Sequence, residues 1–331
     1  MALHWGIAGA GKISHDFVTA LRTLPETEHV VGAVAARDLS RAQNFSTLHK
    51  IKKAFDSYTK LAEDKDIDVV YIGTLNPQHF EIAQLMLNHG KHVLCEKPLT
   101  MNLKQTKELI NLAREKKLFL MEAIWSRCFP VYEAVQKEIQ SGSIGEIHQV
   151  LVSFGFSMPD VQRLNTKSLG GGTVLDLGVY AIQFASLVYN NEMPHTVKAV
   201  GCLNEEGVDQ SISASFVYEG NRTATILTHA LVDLPNEAYI IGTKGKIKIS
   251  NFWCPTTAEL PSGTVNVPLP RGEHPFNFTN SAGLRYEADE VRNCILKGMT
   301  ESPKVSHDAS LLIARLEDEI RKQVGVVYPE D

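Results

Sequence analysis

The chain has 331 residues, 44% of them apolar, and a net charge of −5. That length supports two domains with real cores, and the composition excludes a disordered or fibrous protein. No block of Lys or Arg runs along a face, which argues against nucleic acid and anionic membrane as partners and leaves a small, mildly polar substrate.

The opening Met1-Ala2-Leu3-His4-Trp5-Gly6 has no basic segment leading into an apolar one, and no uninterrupted apolar run approaches bilayer-spanning length. The scattered cysteines (Cys95, Cys128, Cys202, Cys254, Cys294) form no C-x-x-C pair, which suits free thiols in a reducing compartment. A cytoplasmic protein is expected.

Leu3 to Ala8 reads as a short apolar strand, followed at once by Gly9-Ala10-Gly11-Lys12-Ile13-Ser14 and the amphipathic run Phe17, Ala20, Leu21, Leu24. The first glycine permits a tight turn, the second lets a pyrophosphate approach the backbone, and the helix start supplies N–H groups and a positive dipole end. Gly9, Gly11, Lys12 and Ile13 are the expected pyrophosphate contacts, with Ser14 where a third small residue is wanted. A second strand over residues 30–36 lies at the distance this motif requires.

That strand ends in Arg37-Asp38-Leu39-Ser40-Arg41. An acidic side chain here holds the ribose 2′-hydroxyl of NAD, whereas an arginine accommodates a 2′-phosphate, so Arg37, with Ser40 and Arg41 behind it, predicts NADP. Ser40 also fits as a helix cap and Arg41 as a solvated first-turn residue, and Asp38 keeps a ribose contact open.

Helices over 41–48 and 58–62 and a strand Val69–Ile72 continue the alternation. After the strand come Gly73-Thr74-Leu75-Asn76-Pro77-Gln78-His79, near the nicotinamide end of a bound cofactor by the switch-point rule. Thr74, Asn76 and His79 are therefore cofactor-binding candidates, although a histidine at a helix start also serves as an ordinary cap. A helix over 80–88 leads to the strand His92–Cys95, which ends in Glu96-Lys97-Pro98. Charges at the carboxyl end of a buried parallel strand are placed for chemistry; a surface ion pair is the plainer reading. The helix Leu103–Lys116 and a strand over 119–121 complete a doubly wound parallel Rossmann domain, residues 1–123.

Glu96-Lys97-Pro98 behind such a start resembles the glucose-fructose oxidoreductase and inositol dehydrogenase (Gfo/Idh/MocA) family. The block Met121-Glu122-Ala123-Ile124-Trp125-Ser126-Arg127-Cys128-Phe129-Pro130 is similar to one branch of it, the dimeric dihydrodiol dehydrogenases, which also act as NADP-linked D-xylose dehydrogenases. The resemblance runs from the glycine turn through Trp253 to Val327-Tyr328-Pro329. It implies that Lys97 sits between nicotinamide and substrate, that Glu96 helps position the cofactor, and that Trp125 and Arg127 lie against the nicotinamide half. Trp125 equally reads as a buried aromatic at a domain junction.

From about Pro130 the pattern changes to a second, α+β domain, residues 124–331. A helix over 131–141 precedes a strand-like run over 147–156 that contains Phe154. After Gly170-Gly171-Gly172, residues 173–184 read as a helix on which Asp176 and Tyr180, four apart, share one face. The wider family has histidine at the second of these positions; this chain has tyrosine, as the dihydrodiol branch does. Oxidising an alcohol requires a base for the hydroxyl proton, and a tyrosine, with an unperturbed pKa of about 10, needs help to act at neutral pH. Lys97 is expected to stabilise the Tyr180 phenolate while Asp176 holds the substrate hydroxyls; otherwise Tyr180 is a packed helix-face aromatic. Lys97, Trp125, Phe154, Asp176 and Tyr180 are the expected substrate contacts.

Strand-like runs follow at 197–201, 211–218, 223–228, 238–241 and 246–249, with Gly242-Thr243-Lys244-Gly245 as a hairpin turn. They predict a large, mostly antiparallel open sheet, packed on the Asp176 helix on one face. The other face has nothing in the chain to cover it, although the alternation of Ser211, Ser213 and Ser215 also permits solvent. The family forms oligomers through this face, so a homodimer is expected. Residues 251–279, with Trp253, Phe276 and Phe278 among prolines, read as a loop that walls an apolar pocket or packs the sheet edge. Helices over 282–297 and 307–324 close the chain. No H-E-x-x-H occurs, and His89 and His92 have no converging acids, so no metal is implied. An NADP-binding regulator without turnover is the rival from another class, and a same-fold reductase of a different carbonyl is the second; the retained Lys97, Asp176 and Tyr180 argue against the first.

Overall fold

The computed structural model describes residues 2–331, which form two units interleaved along the chain. The first holds the chain up to Leu99, Lys104–Trp125 and Leu269–His307; the second holds Thr100–Leu103, Ser126–Pro268 and Asp308–Asp331. The crossing from Trp125 to Ser126 lies close to the anticipated 123/124 division, but a single cut leaves out the return of 269–307 to the first unit.

The first unit is built on β1 (Leu3–Ala8), α1 (Lys12–Leu21), β2 (His29–Ala35), α2 (Leu39–Leu48), β3 (Lys53–Phe55), α3 (Tyr58–Glu63), β4 (Val69–Ile72), α4 (His79–Asn88), β5 (His92–Cys95), α5 (Leu103–Lys116) and β6 (Leu120–Glu122). Its six strands run parallel in the order β3-β2-β1-β4-β5-β6. This is the doubly wound order of a dinucleotide-binding sheet. Central strands covered on both faces must be apolar throughout, and β4 is buried at every position. The three-residue edge strand β3 is too short to show a pattern in the sequence.

At the first switch point Gly9 adopts φ +102°, and a Cβ there would stand 2.7 Å from the carbonyl oxygen of Gly73. The turns after β1 and β4 therefore touch through backbone, which only glycine allows. Gly11 is less crowded: the nearest atom to a Cβ on it would be the Gly73 carbonyl oxygen at 3.8 Å, an ordinary contact.

The second unit comprises α6 (Pro130–Gln140), β7 (Ile147–Gly155), α7 (Gln162–Asn165), α8 (Val179–Val188), β8 (Thr196–Leu203), β9 (Asp209–Tyr218), β10 (Arg222–His229), β11 (Glu237–Gly242), β12 (Lys246–Ser250), β13 (Thr257–Leu260) and β14 (Gly263–Asn266). The strands form one sheet in the order β14-β13-β12-β11-β7-β10-β9-β8, antiparallel except where β7 meets β10. The hairpin β13–β14 corrects the loop reading of 251–279; its strands are short and flanked by Pro255, Pro261 and Pro268, which mask any alternation. Two further helices follow, α9 (Leu284–Leu296), which packs on α1, and α10 (His307–Val324). The stretch Lys167–Val188 is apolar enough by composition to cross a membrane, yet it is 94% buried inside the protein.

Helix α8 packs on β7 and β10. On the opposite face β9 turns out Ser213 and Ser215 while Ile212, Ala214 and Phe216 point to the core. The uncovered face also carries Val200, 71% exposed, Leu151 and Leu227.

The expected helix over 173–184 starts differently: residues Val174–Gly178 form a π turn that carries Asp176, and regular α-helix begins only at Val179. Its start is anchored by Asp209 of β9, whose Oδ2 accepts bonds from Thr173 Oγ1 (2.6 Å) and Val174 N (2.8 Å). Gly172, at φ +115°, makes room for this carboxylate: a Cβ there would fall 2.5 Å from Asp209 Oδ1. Replacing Gly172 by Ala adds a clash to backbone strain and should cost on the order of 2–4 kcal/mol. Gly298, at φ +68° with nothing within 4 Å, carries the strain alone, so Gly298→Ala should cost about 1 kcal/mol. Urea denaturation of both variants separates the two terms; equal losses would dismiss the contact with Asp209.

Candidate active site

In the first unit the predicted residues fall in two places. Around the glycine turn, α1 begins at Lys12 with Gly11 as its N-cap and no side chain capping it. Its first N–H groups therefore look for an anion. At the end of β2, Arg37 and Arg41 are both exposed. Asp38 is the N-cap of α2, its Oδ1 accepting from Ser40 N at 2.8 Å. The Ser40 hydrogen bonds hold its carboxyl below the ordinary value. One carboxylate oxygen is thus engaged in capping its own helix. Tyr58, at the start of α3, lies close enough for both guanidiniums to act on its hydroxyl, although burial outweighs them and raises it. Sequence reading missed Tyr58, because its neighbourhood arises only from the pairing of β2 with β3, where Ala36 N donates to Phe55 O.

The second place is the end of β4 and β5. Thr74 and Asn76 are half-buried. His79 is fully buried, with Nδ1 2.8 Å from Pro98 O and Nε2 3.3 Å from Thr74 O. Both ring nitrogens face main-chain carbonyls, so the imidazole braces the Lys97-Pro98 turn from behind. The Lys97-Pro98 peptide is cis. Glu96 accepts a 2.5 Å bond from the Tyr71 hydroxyl, and Lys97 N lies 3.3 Å from its second oxygen. Next to it Glu122 accepts from Leu99 N at 2.9 Å. Glu287 of α9 has no hydrogen-bond partner; burial first, and the Glu96 charge second, push its carboxyl well above the ordinary range. Trp125 is buried, 6% exposed.

In the second unit the structure brings Phe154 and Tyr180 together. The Phe154 ring meets Tyr180 edge-on at 5.7 Å and Trp253 at 4.6 Å, and Phe156 packs edge-on against Trp253 at 5.5 Å. Trp253 is thus packed on the aromatic residues at the end of β7. Asp176 Oδ1 accepts a 2.7 Å bond from Arg163 Nη1, a half-exposed guanidinium on α7 that no sequence motif marks. Arg127 is buried, donating to Gln183 Oε1 (3.0 Å), Gln183 O (2.9 Å) and Asn191 Oδ1 (3.3 Å). These contacts make it a brace of α8. Asp209 was missed for the same reason as Arg163, since each acts on a segment remote in sequence.

The residues fit a dinucleotide in two respects: an uncapped helix start and two exposed guanidiniums at the end of β2. Among the described residues one group has metal-ligand spacing, Glu28, His29 and Asp289. The Trp5 indole N–H donates to His29 Nδ1 at 3.2 Å, so in the neutral ring Nε2 carries the proton and is a donor, not a ligand. Burial holds that ring neutral, down to about 4.

Comparison with known proteins agrees with this geometry. Residues 3–124 match the sequence profile of the Gfo/Idh/MocA oxidoreductase family, NAD-binding Rossmann fold, and residues 132–248 match the Gfo/Idh/MocA C-terminal domain. The chain belongs to this family of oxidoreductases. It is 47% identical to the trans-1,2-dihydrobenzene-1,2-diol dehydrogenase of Danio rerio, over 100% of this chain and 99% of that one. The human enzyme of that name is 42% identical over the same shares. Among solved structures, a 3-ketoreductase from Actinomadura kijaniata in complex with NADP and TDP-benzene superposes with a TM-score of 0.82 at 26% identity, covering 99% of both chains.

The buried His79 ring makes acid stability testable. Burial lowers it from 6.5 to about 4, against the two carbonyls, which raise it. The folded state therefore binds fewer protons than the unfolded state between these values, and the stability it contributes is complete above pH 6.5 and lost as pH falls toward 4. His79→Gln should remove up to about 1.4 kcal/mol per pH unit from the acid slope of unfolding free energy in that window. An unchanged slope in urea titrations across pH would show that the ring titrates as in the unfolded chain.

Proposed function

We propose that the chain is an NADP-dependent dehydrogenase that oxidises one hydroxyl of a vicinal diol, on the trans-dihydrodiol of an aromatic hydrocarbon or on D-xylose and related sugars. The observation that carries this reading is the packing of Tyr180 against the aromatic group of Phe154, Phe156 and Trp253, with Asp176 in the turn that precedes Tyr180. Its chemistry suits the substrate for which the 47%-identical relative is named. For the ketoreductase neighbour, a lysine-to-alanine and a tyrosine-to-phenylalanine variant have also been solved.

A bound NADP⁺ would supply the hydride acceptor for the carbon that bears the hydroxyl. Tyr180 takes the hydroxyl proton in this reading, and the Lys97 ammonium supplies the positive charge that makes the phenolate accessible near neutral pH. Asp176, fixed by Arg163, accepts a hydrogen bond from the neighbouring hydroxyl and so orients the diol. Phe154 and its neighbours exclude water and offer ring faces to an unsaturated ring or to the C–H face of a sugar. Glu96, held by Tyr71, orients the cofactor end of the turn. Arg37 and Arg41 select NADP by gripping the 2′-phosphate, with Thr74, Asn76 and Trp125 toward the nicotinamide.

The uncovered sheet face, with Val200, Leu151 and Leu227 exposed, supports a homodimer through that face. Five free cysteines, four of them buried, suit a cytoplasmic setting. A sedimentation experiment at micromolar concentration should give the dimer mass; a monomer would defeat that part.

Turnover is read as nicotinamide absorbance with NADP⁺ and either D-xylose or the trans-dihydrodiol of benzene. Tyr180→Phe should lower kcat by about 10²-fold or more. Near-normal turnover would leave Lys97 alone with the acid–base work. Arg37→Ala should erode the preference for NADP over NAD by about tenfold or more, the worth of one charge-assisted contact. An unaltered ratio of kcat/KM values would refute the 2′-phosphate assignment.

A further inference from the structure

A buried aspartate in the first unit has no part in the scheme above. Asp16 lies on α1 one turn past the glycine turn and is 0% exposed. Its carboxylate is satisfied by amides from a segment far along the chain. Oδ1 accepts from Asn277 N and from Asn277 Nδ2, both at 2.8 Å, and Oδ2 accepts from Phe278 N at 2.9 Å. The same Asn277 Nδ2 lies 3.4 Å from the carbonyl of Lys12, the first residue of α1.

A second set of contacts ties the segment down behind this anchor. His15 Nε2 lies 3.0 Å from Pro275 O, and His15 Nδ1 lies 3.0 Å from His49 Nε2. Since the carbonyl only accepts, His15 donates through Nε2, and its Nδ1 receives the proton-bearing Nε2 of His49. Burial, with His15 next, holds His49 neutral down to about 3. Glu273 pairs with Arg22 at 3.2 Å and Lys50 at 2.9 Å. Gly272 lies so close to α1 that a Cβ would fall 2.5 Å from Thr19 Cγ2. Residues 272–278 are a strap seated on the first turns of α1, with the Phe278 ring left 43% exposed.

The electrostatics of this strap are specific. A bare carboxylate one turn from a pyrophosphate site would repel the ligand and offset the helix dipole that attracts it. Buried under three N–H donors, the same charge is compensated. We propose that Asp16 is a positioning residue for the dinucleotide: it pins Asn277 and Phe278 beside Gly11 and Lys12 as a second wall of the pyrophosphate site. Seating of the strap and binding of the cofactor are thereby coupled. The inference rests on the dinucleotide reading of the glycine turn.

The test uses the full-length protein and NADPH. In the wild type, saturating NADPH should slow hydrogen exchange at the amides of Asn277 and Phe278 at least tenfold more than at β6 or α5. Asp16→Asn, which keeps the shape but turns donors toward donors, should raise the Kd for NADPH, followed by nicotinamide fluorescence, by about tenfold or more. Asn277→Ala, which keeps both main-chain bonds, should raise it about threefold. A lower Kd for Asp16→Asn would mean that Asp16 only repels the phosphates, and would overturn the proposal. Unchanged strap exchange with NADPH bound would overturn it as well. A wild type that binds no NADPH would instead remove the dinucleotide reading itself. Should Asp16→Asn fail to fold, exchange in the wild type and the Asn277→Ala affinity decide.

Discussion

A carboxylate at the end of a fully buried strand has to be solvated by the protein, and much of the first unit follows from how Glu96 achieves this. The Tyr71 hydroxyl supplies the donor at 2.5 Å, and Tyr71 is itself held by its ring, stacked on Phe17 of α1 at 3.8 Å. The strand β4, the helix that follows the glycine turn and the Glu96-Lys97-Pro98 turn are therefore joined through one side chain. Glu122 takes the next amide along, Leu99 N. Glu287 has no such donor, and burial first, with the Glu96 charge second, pushes its carboxyl well above the ordinary range.

The second unit applies the same constraint to a different end. Asp209 is almost wholly buried, and burial raises it to about 6 despite the bonds from Thr173 and Val174, which lower it. A group so placed costs stability when ionised, and its position at the start of the π turn is what that cost maintains. Asp176 lies in the same turn but has a guanidinium at 2.7 Å and a side chain that is 10% exposed. One aspartate holds the turn and the other is presented by it. A π turn widens the helix locally and recurs at functional sites, in keeping with a segment shaped for presentation rather than for packing alone.

The regular elements were legible because local pattern and tertiary role agree in them. Buried parallel strands such as Val69–Ile72 must be apolar at every position, and the helix His307–Val324 shows its core face by spacing. The candidate site residues that sequence reading selects are those a motif places in a short window: Gly9 and Gly11, Arg37, Lys97, Asp176 with Tyr180. Illegible were the residues that act on a remote segment. Arg163 reaches Asp176 thirteen positions on, Asp209 reaches back to Thr173 across 36, and Asp16 binds Asn277 across 261. Nothing in the residues around them marks these side chains, because their partners are chosen by the fold. Arg127 shows the converse: a motif position whose contacts in the structure are to Gln183 and Asn191.

These long-range contacts also explain why the fold can hold different chemistries on one frame. The chain shares its architecture with a 3-ketoreductase at 26% identity and with a dihydrodiol dehydrogenase at 47%. Fold alone therefore does not select the substrate. A dihydrodiol and a pyranose have in common a pair of adjacent hydroxyls on a six-membered ring, and they differ in what the rest of the ring offers a wall. The hydroxyl pair is addressed by Asp176 and Tyr180 in the proposed reading, and the ring by Phe154, Phe156 and Trp253. Because Phe154 touches Tyr180 and Trp253 alike, a change in the aromatic wall is transmitted to the position of the proposed base. Substrate choice and acid–base geometry are then coupled through a single ring, so a variant that reshapes the wall moves kcat together with KM instead of KM alone.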